Sequence, residues 1–243
     1  MSGYEKSAHL YDLFDQKENV EFFYHYASLA GEVLDIGAGT GRIALPLARR
    51  GVKVTCIEPS PSMRTEFQRK LDRHHDLSQY IQLIADKAST FTLGCTFPAA
   101  FLSGSFDHFL DDEDRIKSLT NIRRHLDTKG TLVFDVFPGL MVNSTLFPAG
   151  IATIGNKEYR RFVGEKVLPD NRKEILLVFE VYEGDRLIER IEERSLVGII
   201  SRQGIHRVLT EAGYSLEKEW NNYDFTPYQE KDPLLIVEAI KKS

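Results

Sequence analysis

Through residues 1–137, short apolar runs alternate with longer amphipathic stretches. Residues 32–36 form an apolar run that enters a glycine turn. Residues 40–50 then carry Ile43, Leu45, Leu47 and Ala48 and read as a helix stopped by Gly51. Residues 52–57 are a second β-rich run. Ser60-Pro61-Ser62 reads as a helix start, with Ser60 placed to cap and Pro61 at the first helical position. Residues 80–85, 99–103 and 131–137 supply three further strands, and a helix over about 111–126 joins the last two. Its opening acids, Asp111 to Asp114, favour a helix N-terminus, and Lys129-Gly130 closes the turn after it. Strands this short and apolar, alternating with helices, predict a parallel sheet covered on both faces.

After Phe137 the pattern changes. Residues 157–167, 173–183 and 186–200 are long, alternating and β-rich, and Gly184-Asp185 between the last two is a hairpin signal. A helix over 203–212 and strands over 214–223 and 234–241 complete the chain. The expected fold is α/β: a doubly wound, seven-stranded, mostly parallel sheet with an antiparallel β layer inserted after the fifth strand. Residues 1–137 and 201–243 then form one domain, and residues 138–200 form the inserted layer, placed to cover a ligand at the carboxyl ends of the strands.

Composition narrows the function. The chain has 243 residues, 42% of them hydrophobic and 28% charged, as in a folded protein with a full core. A net charge of −5 argues against avid nucleic-acid binding, which needs an excess of cations. No run is long and apolar enough to span a membrane, and residues 1–13 lack the apolar stretch of a signal peptide. Cys56 and Cys95 have no metal-ligand or CxxC spacing, so a cytoplasmic protein without structural zinc is expected. A small-molecule enzyme fits these features best.

The most informative stretch is Asp35-Ile36-Gly37-Ala38-Gly39-Thr40-Gly41. Alternate glycines after a buried strand let the backbone turn tightly and approach a ligand, although a plain strand-to-helix turn uses them too. Glu58 ends the next strand, where a carboxylate accepts ribose hydroxyls. Asp86 ends the third, where it could receive an adenine amino group. A dinucleotide site would need glycine where Arg42 stands, and Asp35 would lie close to the pyrophosphate. A cationic cofactor without phosphate, such as S-adenosylmethionine, suits these residues better.

In these motifs the chain resembles the class I S-adenosylmethionine-dependent methyltransferases, with residues 35–41 as the first motif, Glu58-Pro59-Ser60-Pro61-Ser62-Met63 as the second and Ala85-Asp86 as the third. The resemblance implies a Rossmann-like fold that converts S-adenosyl-L-methionine to S-adenosyl-L-homocysteine. Asp35, Gly37, Ala38 and Gly39 would hold the methionine end and Glu58, followed by Pro59, the ribose. Met63 would lie against the adenine and Asp86 at its amino group, with Ser103 after the fourth strand also in the cofactor site. Core packing for Met63 and a turn cap for Asp86 remain open.

The acceptor side should follow the fourth strand. No Asn-Pro-Pro-Tyr or Asp-Pro-Pro-Tyr occurs there, and no cysteine follows the fourth or fifth strand to attack a pyrimidine. Asp107 and Asp135 alone keep a magnesium site open. His108 is the candidate base, with a hydrogen-bonded turn histidine as the alternative, whereas His74, His75 and His125 read as solvated helix residues. Residues 4–14 resemble the opening of small-molecule N-methyltransferases, including those of amino sugars. By that resemblance the segment folds over the cofactor and Tyr11 faces the methyl group, the alternative being an aromatic staple. Arg160, Arg161, Lys166, Arg172 and Lys173 read as a solvated sheet face. Phe162, Ile175, Leu177, Phe179 and Val181 read as a buried face, and that stripe is the only ground for a homodimer. The expected activity is methyl transfer to a small-molecule acceptor, more readily nitrogen than oxygen or sulfur. The alternatives are a protein side-chain methyltransferase, a non-catalytic cofactor-binding module and, least favoured, a nicotinamide dehydrogenase.

Overall fold

The computed structural model describes residues 4–14, 19–139 and 142–242, so residues 1–3 of the N-terminal stretch lie outside the described residues. A 3₁₀ segment, Ala8–Phe14, precedes α1 (Val20–Ala30). Strands and helices then alternate: β1 (Glu32–Ile36), α2 (Ala44–Arg49), β2 (Lys53–Ile57), α3 (Pro61–Leu71), β3 (Ile81–Ile84), β4 (Phe97–Leu102), α4 (Asp112–Arg124) and β5 (Leu126–Val136). Four strands follow, β6 (Ser144–Ile154), β7 (Lys157–Leu168), β8 (Arg172–Glu183) and β9 (Arg186–Gly198). The chain closes with α5 (Arg202–Glu211), β10 (Tyr214–Trp220) and β11 (Leu235–Lys241).

Seven strands form one sheet in the order β10-β11-β5-β4-β1-β2-β3. The five from β3 to β5 run parallel, and β11 runs antiparallel to both β5 and β10. Successive residues of the inner strands serve opposite faces. Leu34, Ala100, Leu102, Leu132 and Phe134 pack with Leu119 and Ile122 of α4 and Val208 and Leu209 of α5. Val33, Ala99, Phe101 and Val133 pack with Phe22 and Phe23 of α1, Leu45 and Leu47 of α2 and Phe67 of α3. With both faces covered, the inner strands are mostly apolar, which is the pattern read from the sequence, and the exceptions Asp35, Thr55 and Asp135 are buried. The strand order reverses between β1 and β4, so the loops leaving them diverge and open a crevice at their carboxyl ends.

The second sheet, β6-β7-β8-β9, is wholly antiparallel. Gly155 and Gly184, at φ +61° and +58°, open the two-residue turns Gly155-Asn156 and Gly184-Asp185. Asp170 and Asn171, both at positive φ, turn β7 into β8; short polar side chains tolerate that region better than others. Leu177, Phe179 and Ile191 on one face pack against Leu10, Leu13 and Phe14. The N-terminal segment therefore lies on the inserted sheet, and Ile175, Leu177 and Phe179 are covered by the chain itself. Three residues of the stripe that suggested a second subunit thus have an internal occupant, whereas Phe162, opposite Val178, faces the other side of the sheet.

Several expectations are corrected. The inserted sheet has four strands, because β6, with Pro148 and Gly150 inside it, lacks a clean alternation. Helix α2 spans only Ala44–Arg49, since residues 38–43 are spent in the turn. Helix α1 escaped the sequence reading, although it buries Phe22, Phe23 and Ala27. His125 is buried rather than solvated, its ring tilted against Phe91 with centroids 4.4 Å apart and its Nε2 accepting the Leu93 N–H. Arg161 is not part of a solvated face. It turns inward, its guanidinium 5.0 Å from the Phe14 ring, while Arg160 stays outside with Glu158. No helix among the described residues is long and apolar enough to cross a membrane.

Candidate active site

A cavity of about 510 Å³ occupies the crevice at the ends of β1, β2 and β4. Of the residues singled out in the sequence, Tyr11, Asp35, Gly37, Ala38, Gly39, Glu58, Pro59, Met63, Ser103 and His108 line it. Asp86 does not. Its carboxylate accepts the Lys87 N–H at 2.7 Å and the Thr90 hydroxyl at 2.6 Å, which holds it below the usual carboxylate range, and Lys87, Ala88 and Ser89 line the cavity instead. Asp86 thus acts as a turn cap.

The three glycines of the loop have different reasons to be glycine. All have positive φ. A Cβ on Gly41 would lie 2.5 Å from the Phe67 ring, and one on Gly37 would lie 2.6 Å from Ser105 Cβ, so both are required by packing. At Gly39 the nearest atom would be 4.0 Å away. Gly39 is therefore where bare backbone faces open space, as a cradle for a ligand would.

Glu58 is buried at the end of β2, and its carboxylate accepts the Gly39 N–H at 2.8 Å and the Ser60 N–H at 2.7 Å on separate oxygens. One side chain thus joins the glycine loop to the start of α3, where Ser60 also caps the Met63 N–H. Burial raises its pKa against the pull of those two backbone donors and Arg64. Each oxygen has further lone-pair capacity for a hydroxyl. Asp35, also buried, is less satisfied. Its Oδ2 has no hydrogen-bond partner, and burial pushes its pKa up to about 7, opposed by Arg42 and reinforced by Glu58. A buried carboxylate oxygen without a donor, at the wall of a cavity, is a site for a cation that the cavity admits.

The opposite wall comes from distant parts of the chain. Tyr4 stands edge-on to Tyr11, ring centroids 5.3 Å apart, and to His108 at 6.3 Å, and Leu196 at the end of β9 completes this side. Burial lowers the His108 pKa, partly offset by its hydrogen bond to the Leu196 carbonyl. Because that bond uses one ring nitrogen as donor, the neutral ring leaves the other as an acceptor. The N-terminal segment is fastened at both ends: Asp12 accepts the Thr40 hydroxyl at 2.6 Å and pairs with Lys70, while the Glu193 carboxylate accepts the backbone N–H groups of Lys6 and Ser7 at 2.6 and 3.0 Å.

The sequence reading missed Tyr4, Asp12 and Glu193. Tyr4 lies in the N-terminal motif of residues 4–14 without a role assigned to it, and Glu193 gave no signal, because its partners, two backbone N–H groups and the Ser7 hydroxyl, are far away in the chain. Among the described residues, no group of three or more His, Cys, Asp or Glu side chains could hold a metal ion.

Residues 33–130 match a family model described as a methyltransferase domain. An uncharacterised methyltransferase of Bacillus cytotoxicus is 30% identical over 143 residues, spanning 54% of this chain and 64% of that one, so the chain covers less than two thirds of that relative. Among solved structures, an S-adenosylmethionine-dependent methyltransferase from Clostridium acetobutylicum superimposes with a TM-score of 0.81 at 17% identity, covering 99% of each chain. A sugar N-methyltransferase from a Streptoalloteichus species gives 0.78 at 17% identity, covering 100% of this chain and 95% of that one. The chain is thus similar to methyltransferases over residues 33–130 and shares the fold of S-adenosylmethionine-dependent methyltransferases, a sugar N-methyltransferase among them.

Proposed function

We propose that the protein transfers a methyl group from S-adenosylmethionine to the nitrogen of a small-molecule amine. The observation that carries this reading is the pairing, in one cavity, of a buried carboxylate oxygen without a hydrogen-bond partner, beside a bare glycine, with an imidazole held by the Leu196 carbonyl. The cofactor fits the residues present. Asp35 would face its ammonium group, Glu58 would accept the ribose hydroxyls, Gly39 would pass the methionine moiety, and Met63 would lie at the adenine. Bound there, S-adenosylmethionine supplies a methyl group on a sulfonium that an incoming nitrogen displaces in line.

The chain's own residues would align and deprotonate that nitrogen. An amine enters at neutral pH as an ammonium ion and must lose a proton to expose its lone pair. His108, neutral because burial lowers its pKa, would take that proton on its free ring nitrogen, and its bond to Leu196 would fix the ring's direction. Tyr4 and Tyr11 would offer aromatic faces to the cationic acceptor. The N-terminal segment and the end of β9 wall the cavity, which favours a small acceptor over a protein side chain presented on a loop. The sugar N-methyltransferase among the similar structures agrees with nitrogen as the acceptor atom.

The deciding experiment is titration calorimetry with S-adenosylhomocysteine, with NADH as the control, followed by a screen of amino sugars and simple amines with labelled S-adenosylmethionine. Binding of the adenosyl ligand alone, with methylation of at least one amine, is expected. Binding of NADH instead undoes the cofactor assignment. Binding of S-adenosylhomocysteine with turnover confined to alcohols or thiols undoes the acceptor assignment.

A further inference from the structure

Ser103 and Gly104 form the cavity wall at the carboxyl end of β4, and one buried side chain on the neighbouring strand holds both. The carboxylate of Asp135, on β5, accepts the Gly104 N–H at 2.5 Å on one oxygen. On the other it accepts the Tyr223 hydroxyl at 2.8 Å and, more distantly, the Ser103 hydroxyl at 3.4 Å. Ser103 Oγ in turn accepts from Arg42 Nη2 at 2.8 Å and from Asn19 Nδ2 at 2.9 Å, and Arg42 also donates to Asn19 Oδ1. Arg42 directly follows the glycine loop. One carboxylate therefore ties the end of β4 to the loop after β1, which are the two sides of the crevice.

Tyr223 belongs to the connection between β10 and β11, and that connection is held firmly. Phe225, two residues on, has φ +64°, a conformation that a bulky residue keeps only when its surroundings over-determine it. Here they do. The Phe225 ring stacks on Phe22 at 4.5 Å and meets Trp220 edge-on at 5.6 Å. Backbone strain at Phe225 is thus sustained beside a tyrosine whose hydroxyl reaches the hub under the cavity wall.

We propose that Asp135 is a positioning residue for the cofactor half of the cavity, and that Tyr223 brings the β10–β11 connection into the same device, although neither residue lines the cavity. The proposal rests on the cofactor reading above. A carboxylate suits the position because its partners there are all donors. An asparagine of nearly the same shape has one acceptor oxygen, and its amide hydrogens would face either the Gly104 N–H or the Tyr223 O–H. Without the hub, Ser103 and Gly104 lose their register against Arg42, and the crevice is no longer preset for its ligand.

The test is a double-mutant cycle on S-adenosylhomocysteine affinity, measured by titration calorimetry, with the melting temperature of each ligand-free variant recorded beside it. Asp135→Asn should bind about tenfold more weakly and Tyr223→Phe about threefold more weakly. The double variant should bind less weakly than the two single losses multiplied together, because Tyr223 reaches the site through the carboxylate and through Asn19 of the same network. A merely structural role would lower the melting temperatures and leave affinity in the folded protein unchanged. That result, or losses that multiply in the double variant, overturns the proposal. If Asp135→Asn does not fold, Ser103→Ala replaces it in the cycle with the same non-additivity expected. Failure of the wild-type protein to bind S-adenosylhomocysteine overturns the cofactor reading and, with it, this proposal, and is distinguished from the hub's own failure by the wild-type titration alone.

Discussion

At the floor of the cavity, Glu58 fixes the backbone of two successive strand-to-helix turns, all within residues 35–63. At the opposite wall, Tyr4, Tyr11, His108 and Leu196 come from three separate stretches of chain and meet only when the inserted sheet and the N-terminal segment have docked. The floor consists mainly of backbone and short side chains, held by local hydrogen bonds. The wall consists of aromatic and imidazole side chains, held by contacts between elements. On the proposed function, cofactor recognition would rest on locally built backbone, and acceptor recognition on side chains brought together by docked elements.

Substitutions can separate the two. The largest expected effect is on the wall: His108→Ala should lower turnover of an accepted amine by about 10²–10⁴, the usual range for a lost general base, while S-adenosylhomocysteine affinity stays unchanged. Equal turnover by variant and wild type in a rate assay would leave His108 as a turn residue only. The next effect is on the floor. Gly41→Ala should destabilise the fold by roughly 3 kcal/mol in denaturant unfolding, from positive φ and the collision with Phe67. Gly39→Ala should cost only about 1 kcal/mol of stability, yet abolish detectable binding of S-adenosylhomocysteine. Equal stability losses at the two positions would show that Gly39 is a packing glycine too.

The smallest effect concerns pH. The Asp35 pKa is raised to about 7 in the folded chain from an ordinary 3.8, so its neutral form is the one the ligand-free fold accommodates. Its contribution to stability is fully present below 3.8 and is lost as the pH rises through about 7. Asp35→Asn should therefore raise the ligand-free melting temperature at pH 8 by a few degrees and leave it nearly unchanged at pH 4. Wild-type affinity for S-adenosylhomocysteine should rise as the pH approaches 7 and then level off, and the variant should bind weakly at every pH. A melting temperature at pH 8 that does not respond to the substitution would mean that the Asp35 charge is already balanced in the ligand-free protein.

The same division decides what could be read from the sequence. The glycine loop, Glu58 and the Ser60-Pro61 helix start are local signals, each complete within a few residues, and they indicated the crevice. The parallel strands were legible because burial of the inner ones on both faces leaves them few polar positions. Asp86 was misleading for a local reason as well, since an acid at a strand end caps its own turn as readily as it meets a ligand. Helix α1 and strand β6 were missed because one is recognised by what it packs against and the other carries a proline and a bulge. Glu193 could not be inferred at all, because a carboxylate that accepts backbone N–H groups from the other end of the chain leaves no pattern. Arg161 shows the limit of charge alternation: two neighbouring arginines on one strand necessarily point to opposite faces, and only the docked N-terminal segment makes one of those faces an interior.

The bonds from Lys6 and Ser7 to Glu193 join positions 187 and 186 residues apart. A growing chain makes its first few residues long before their carboxylate partner exists, and closing a loop of that size is slow compared with forming local turns. During synthesis, therefore, the glycine-loop half can assemble and take up Asp12 through Thr40 and Lys70 while the Lys6–Ser7 end of the segment stays unattached. Its arrival on the inserted sheet would be a late event, one that reports that the last third of the polypeptide has folded.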